Sequence, residues 1–262
     1  MRRQLASLRA LLVDLDGVVY RGSTLLDGST EFFRFLNAKC LAYCLITNNA
    51  TSTPTQVARK LKDLGIEIAE SSIFTSGQAA ARYLTRQAPV GTGVYIVGED
   101  GLRQPLLEAG FRIDDVAPGY VVVGLDREFT YKKMAIACVA VRRGAKLIGT
   151  NPDKTFPVEE HLLPGAGALL ASITSCSGAR PTVVGKPSAE MLKLAIEHLG
   201  VRKRETAIVG DRLDTDVLAG KRAGITTILV LTGVASQEDL SRSRIAPDYV
   251  FRDLNELRAA MA

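Results

Sequence analysis

Two aspartates stand one residue apart in "LLVDLDGVVYRG", Asp14 and Asp16, directly after a run of aliphatic residues. Taking an ionised carboxylate out of water costs on the order of several kcal/mol unless a cation, a proton or a reacting group offsets it, so folding alone gives no reason for the pair. Three further apolar segments end in polar residues: Thr47, Asn48 and Asn49 in "LITNNA", Lys186 in "VVGKP", and Asp211, Asp214 and Asp216 in "IVGDRLDTD". If these segments are strands of one open parallel sheet, its carboxyl edge gathers carboxylates, a lysine and short hydrogen-bond donors where such sheets bind ligands. Carboxylates at that density repel one another unless a hard divalent cation stands between them, and Mg²⁺ takes oxygen ligands completed by water and substrate phosphate. Thr47, Asn48 and Lys186 then face the phosphate oxygens. Singly, each residue has an ordinary reading: Thr47 and Asn48 close a turn, Lys186 is a solvated surface lysine, Asp211 is a turn residue and Asp214 is a helix N-cap. Their joint placement at strand ends is what points to chemistry.

The elements that must position these residues are legible as a rhythm of strand and helix. "LRALLVD", "LAYCLIT" and "SSIFT" read as short buried strands, and "STEFFRFLNAKC", "TPTQVARKLKDLG" and "GQAAARYLTRQA" as the helices that follow them. The second of these helices has Thr53 as N-cap, Pro54 at its first position, Gln56 to complete a capping box and Gly65 as terminator. The series resumes with "PTVVGKP", "SAEMLKLAIEHLG", "TAIVGD", "TDVLAGKRAG" and "ITTILVL". Apolar strands alternating with amphipathic helices imply a parallel sheet covered on both faces. Between the halves the composition shifts, and residues 78–182 read as an inserted α/β domain, leaving 1–77 and 183–262 as the core. The insert has strands "GVYIV", "GYVVVGL" and "KLIGT", helices near 100–109, 130–143 and 165–176, and a proline-marked loop, "TNPDKTFPVEEHLLPG". Glycines around Gly77 and Gly91 on one side and Gly178 and Gly185 on the other read as linkers on which the insert swings as a lid.

The set "DLDG" at 14–17, Thr47 in "ITNN", Lys186 in "GKP" and Asp211 to Asp216 in acidic GDxxxxD form resembles the four motifs of the haloacid dehalogenase superfamily, in order across most of the chain. An insert between the second and third motifs, with "DLDGVVYRG" and "TNNA", is similar to the branch of nitrophenylphosphatases, nucleotide monophosphatases and phosphoglycolate or pyridoxal phosphate phosphatases. The resemblance implies a Rossmann-like core with an α/β cap, and Mg²⁺-dependent hydrolysis of small phosphomonoesters through an aspartyl-phosphate. By it, Asp14 is the nucleophile and Asp16 the acid that protonates the leaving oxygen, then the base for the attacking water. Asp14, the Asp16 backbone carbonyl and Asp211 hold the metal, with Asp216 binding directly or through water, and Lys186 adds a fixed positive charge. Gly17 brings a backbone N–H close to the phosphate, alongside Thr47, Asn48, Asn49 and Lys186. In the insert, Asn151 and Asp153 of "TNPD" either contact the leaving group or form an ordinary Asx-turn.

Composition narrows the alternatives. The net charge of +5 over 262 residues suits an anionic substrate but is too mild and dispersed for nucleic acid. Glycine runs complete neither a dinucleotide fingerprint nor an ATP loop. No stretch approaches a membrane span. Cys40, Cys44, Cys138 and Cys176 form no CxxC pair, and with only His161 and His198 beside them they read as free thiols in a reducing cytoplasm rather than zinc ligands. The expected partner is a small phosphorylated metabolite, with a homo-oligomer through the cap left open. A phosphotransferase using the same intermediate is the nearest rival. A phospho-acceptor signalling module is disfavoured because Asp16 and the insert suit turnover rather than a long-lived phosphoryl group.

Overall fold

Strand Ala10–Asp14, buried along its whole length, lies inside a six-stranded sheet. The computed structural model describes residues 5–158 and 161–262. The sheet runs in the order Tyr249–Phe251, Thr226–Val230, Thr206–Gly210, Ala10–Asp14, Ala42–Thr47, Ile73–Thr75. Ala10–Asp14 is parallel to both neighbours, with Asp14 opposite Ile46 and Val13 opposite Val209. The chain first builds outward on one side of this strand and later on the other. The crevice between the carboxyl ends of Ala10–Asp14 and Thr206–Gly210 is therefore a topological switch point, where open α/β sheets bind ligands.

The helices form as their patterns require. In Ala189–Leu199 the Ser188 hydroxyl accepts from the Glu190 N–H, Met191, Leu192, Ala195 and Ile196 lie on the buried face, and Gly200 ends the helix with φ 64°. Pro54–Asp63 begins with the expected reciprocal cap: Thr53 N–H donates to Gln56 Oε1 at 2.8 Å, and Gln56 N–H donates to Thr53 Oγ1 at 3.3 Å. One apolar cluster, including Leu11, Val13, Phe32, Leu45, Val209 and Ile228, forms the core of this unit.

A second compact unit comprises Asn48–Gln56 and Thr75–Gly185. Its parallel sheet runs Thr182–Val183, Lys146–Gly149, Tyr120–Val123, Gly93–Val97, Arg112–Ile113. A separate cluster with Val97, Val121, Val141, Leu170 and Ile173 packs it. Three features differ from the sequence reading. The strand in "PTVVGKP" pairs with Lys146–Gly149 of this sheet rather than in the core sheet. Asn48–Gln56 also groups here, because Gly101 brings the backbone of helix Asp100–Glu108 so close to Ser52 that a Cβ would lie 2.5 Å from its N. The "TNPD…LLPG" loop contains an antiparallel hairpin, Thr155–Val158 with His161–Pro164.

The glycines read as linkers have local tasks. Gly77 lies within helix Ser76–Thr85 against the Gly101 backbone, Gly91 turns with φ 85°, Gly178 caps Ala166–Ser177 with φ 73°, and Gly185 packs on the Thr150 carbonyl. Cys138 and Cys176 are joined in a disulfide between helices Tyr131–Arg142 and Ala166–Ser177, so the reading of four free thiols holds only for Cys40 and Cys44. Two helices brought side by side decide this pairing, and their cysteines stand 38 residues apart in sequence.

Candidate active site

At the switch point the end of strand Ala10–Asp14 and the turn that follows strand Thr206–Gly210 meet a lysine. Lys186 Nζ donates to Asp14 Oδ1 at 2.6 Å and to Asp216 Oδ1 at 2.7 Å, and its side chain is almost wholly buried. Burial pulls the ammonium toward losing its proton, but the two carboxylates outweigh that effect and raise its pKa. Lys186 follows a strand of the second sheet, turns through a cis bond to Pro187, and precedes the helix capped by Ser188. A lysine at this place in the sequence is a charge whose destination only the tertiary fold reveals.

Asp14, Asp211 and Asp216 each offer an oxygen within 4.8 Å of the others. Burial is the main cause that pushes the Asp14 carboxyl well above the ordinary carboxylate range; Lys186 opposes it, and the charges of Asp216 and Asp211 add to it. Burial and the Asp216 charge push Asp211 up to about 6 against the Val234 N–H, Lys186 and Arg212. Asp211 Oδ2 accepts from the Val234 N–H at 2.7 Å, whereas Oδ1 is buried with no hydrogen-bond partner among the described residues. A buried oxygen without a partner, on one of three carboxylates this close together, fits a hard cation, which would supply the missing partner and offset the repulsion. Both oxygens of Asp216 are engaged: Oδ1 by Lys186, and Oδ2 by the Arg212 N–H at 3.1 Å and the Thr215 hydroxyl at 3.4 Å.

Asp16 is solvent-exposed, yet the surrounding protein crowds it enough to raise its carboxyl above the ordinary value, opposed by Lys60 and Lys186. Lys60 Nζ lies 3.7 Å from the centre of the Tyr20 ring, a cation–π contact. Gly17 has φ 80°, and its N–H donates to the Tyr20 carbonyl at 2.8 Å. This donor closes the local turn, and the glycine is needed for its left-handed backbone and because a Cβ would strike the Asp211 carboxylate. Thr47 is buried at the end of its strand, one residue beyond Ile46, the partner of Asp14.

Asn48 and Asn49 group with the second unit. Asn48 Nδ2 donates to Asp153 Oδ2 at 3.0 Å, and the Asn48 carbonyl accepts from Ser76 Oγ at 2.6 Å and from Asn151 Nδ2 at 2.8 Å. Asn49 Oδ1 accepts from the Thr51 N–H and hydroxyl at 2.8 and 2.7 Å, which commits that oxygen to a turn. Asn151 Oδ1 accepts from the Asp153 N–H at 3.0 Å, so the Asx-turn alternative is the one realised, and both residues also brace the segment that follows Thr47. Asp214 is not an N-cap: it lies in the π-turn Leu213–Val217 and pairs with the Arg212 guanidinium at 3.0 Å. Sequence reasoning missed "LTGV" at 231–234, although it stands at the end of strand Thr226–Val230, where the same strand-end logic applies.

Family comparison agrees with this geometry. A model described as haloacid dehalogenase-like hydrolase matches residues 11–112, and a second, HAD-hydrolase-like model matches 183–257. The acid sugar phosphatase of Staphylococcus aureus (strain USA300) is 43% identical over 254 residues, 97% of this chain and 98% of that protein. The chain belongs to the haloacid dehalogenase-like hydrolases. Among solved relatives of this hydrolase, the 4-nitrophenylphosphatase from Thermotoga maritima superposes with a TM-score of 0.95 at 35% identity, covering 99% of each chain. NagD from E. coli K-12 superposes with a TM-score of 0.90 at 36% identity, covering 95% of this hydrolase and 98% of NagD. The resemblance to the nitrophenylphosphatase branch and the α/β core are thus both established. No helix among the described residues is long and apolar enough to cross a membrane.

Proposed function

We propose that this hydrolase cleaves small phosphomonoesters in a Mg²⁺-dependent reaction through an aspartyl-phosphate on Asp14. The observation that carries the reading is the buried, mutually repelling trio Asp14, Asp211 and Asp216 at the switch point, with one Asp211 oxygen unpartnered. Asp14, the Asp16 carbonyl and Asp211 hold the ion, while Asp216, whose oxygens are taken, anchors Lys186. When bound, Mg²⁺ offsets charge on the phosphoryl oxygens and keeps the carboxylates ionised.

Lys186 fixes the rotation of the Asp14 carboxylate, so its attack on phosphorus starts from one orientation. As the phosphorus–oxygen bond to the leaving group breaks, Asp16 gives its proton to that oxygen; its raised pKa supports the acid role. Asp16, now ionised, takes a proton from water, whose oxygen attacks phosphorus and releases inorganic phosphate and Asp14. Thr47 and Lys186 supply donors to the phosphoryl oxygens. The unit containing Thr75–Gly185 serves as the substrate-selecting cap. The names of the relatives bring nitrophenyl and sugar phosphates forward as first substrates. A phosphate-release screen with Mg²⁺ over these, nucleotides, phosphoglycolate and pyridoxal phosphate tests the proposal: turnover abolished by EDTA and by Asp14→Asn is expected, and full activity in either case would refute it.

A further inference from the structure

The carboxylate of Asp211 lies in a cradle made by two backbones. Gly17 and Gly233 both back onto its Oδ2, and a Cβ added to either would strike the Asp211 carboxylate. The loop Leu231–Ala235 grips the residue twice more, since Val234 N–H donates to Oδ2 at 2.7 Å and Ala235 N–H donates to the Asp211 carbonyl at 3.0 Å. Something must hold this loop against Gly17, because the part of the chain carrying Gly17 is more than two hundred residues away in sequence. Thr232 does so in both directions. Its hydroxyl donates to the Gly17 carbonyl at 2.6 Å, and its own carbonyl accepts from Arg21 Nη2 at 2.6 Å. Arg21 sits in the small hairpin Tyr20–Arg21 with Thr24–Leu25, which follows the Asp16 turn.

We infer that Thr232, braced by Arg21, is a positioning residue for metal binding: it closes the two-glycine cradle so that Val234 occupies Asp211 Oδ2 and Oδ1 is left for the ion. The inference rests on the reading of Asp211 as a metal ligand. Residues that orient a ligand through hydrogen bonds set metal affinity nearly as strongly as the ligands do, because a carboxylate free to rotate must be ordered again each time the ion binds. Removing the Thr232 hydroxyl while keeping its shape, Thr232→Val, leaves the loop untied from Gly17. Thr232→Ser keeps the donor. Arg21→Met removes the other tie at an exposed position where the fold tolerates change.

The test is Mg²⁺ affinity measured by calorimetry on metal-stripped protein, with the melting temperature of each metal-free variant recorded alongside. Thr232→Val and Arg21→Met should each weaken Mg²⁺ binding by about tenfold or more, with metal-free melting close to the parent, while Thr232→Ser binds as the parent does. Unchanged affinity in Thr232→Val and Arg21→Met, or an equal loss in Thr232→Ser and Thr232→Val, would overturn the inference. If Thr232→Val does not fold, Arg21→Met decides it alone. Asp211→Asn separates the two levels: if it abolishes Mg²⁺ binding and the Thr232 and Arg21 variants do not weaken it, the clamp is wrong and the ligand assignment stands. Parent-like binding by Asp211→Asn removes both.

Discussion

Lys186 is the residue on which the site turns, because it is the cation that holds Asp14 and Asp216 together out of water. Breaking a buried ion pair from one side leaves uncompensated charge, so Lys186→Met should cost about 3–5 kcal/mol near neutral pH. The loss should shrink in acid: burial and like charge raise the Asp14 pKa, and protonation removes the orphaned charge. Urea melts of parent and variant on either side of the carboxylate range check this, and a loss that grows in acid would contradict it. Asp16 makes a different kind of prediction. An acid that protonates the leaving oxygen matters most where that oxygen is basic, so Asp16→Asn should slow alkyl phosphates by about 10²- to 10⁴-fold and nitrophenyl phosphate much less. Equal losses on both substrates would take the acid role away from Asp16.

Among the elements, the segment after Thr47 behaves unlike the strand that leads into it. Ala42–Thr47 is a strand of the core sheet, yet Asn48 is held by Ser76, Asn151 and Asp153 of the second unit. A side chain that braces a backbone common to every reaction cycle cannot discriminate among leaving groups. Asn151→Ala, which removes one donor to the Asn48 carbonyl and opens the turn at Asp153, should therefore lower kcat/KM on bulky and minimal phosphomonoesters alike. Steady-state kinetics on one substrate of each kind would show it. A loss confined to bulky substrates would return Asn151 to the role of a leaving-group contact.

Across the whole molecule, the buried carboxylates couple folding to pH and to metal. Without a cation, Asp14 and Asp211 hold raised pKa values, Asp211 at about 6, so the native state binds protons that the unfolded chain has already released. Their contribution to stability is complete below the ordinary carboxylate value and is lost as pH rises through the raised one. Mg²⁺ requires the ionised forms and relieves their repulsion, so its stabilisation should be small near about pH 5 and larger near about pH 7.5. Melting temperatures in EDTA and in saturating Mg²⁺ at the two values measure this. A Mg²⁺ increment independent of pH would mean that the ion binds away from these carboxylates.

What the sequence by itself determined is the part set by local chemistry. Apolar runs bounded by turns made the strands, and the Thr53 and Gln56 reciprocal cap is decided within four residues. The types and spacing of Asp14, Asp16, Lys186 and Asp211 carried the expectation of phosphate and metal chemistry, because charge gathered at the ends of buried strands needs a partner. Tertiary structure alone decided what depends on closing the chain over long distances. The short strand before Lys186 pairs in the second sheet, since a two-residue strand has no pattern that names its partner. Gly17 gives its N–H to the Tyr20 carbonyl, and a Cβ there would collide with Asp211, which arrives from the other half of the chain. Asn48 is claimed by residues more than a hundred positions away, and Thr232 by one more than two hundred away. A hydrogen bond of that reach leaves no periodicity in the sequence, because its two ends are neighbours only in the folded unit that holds them.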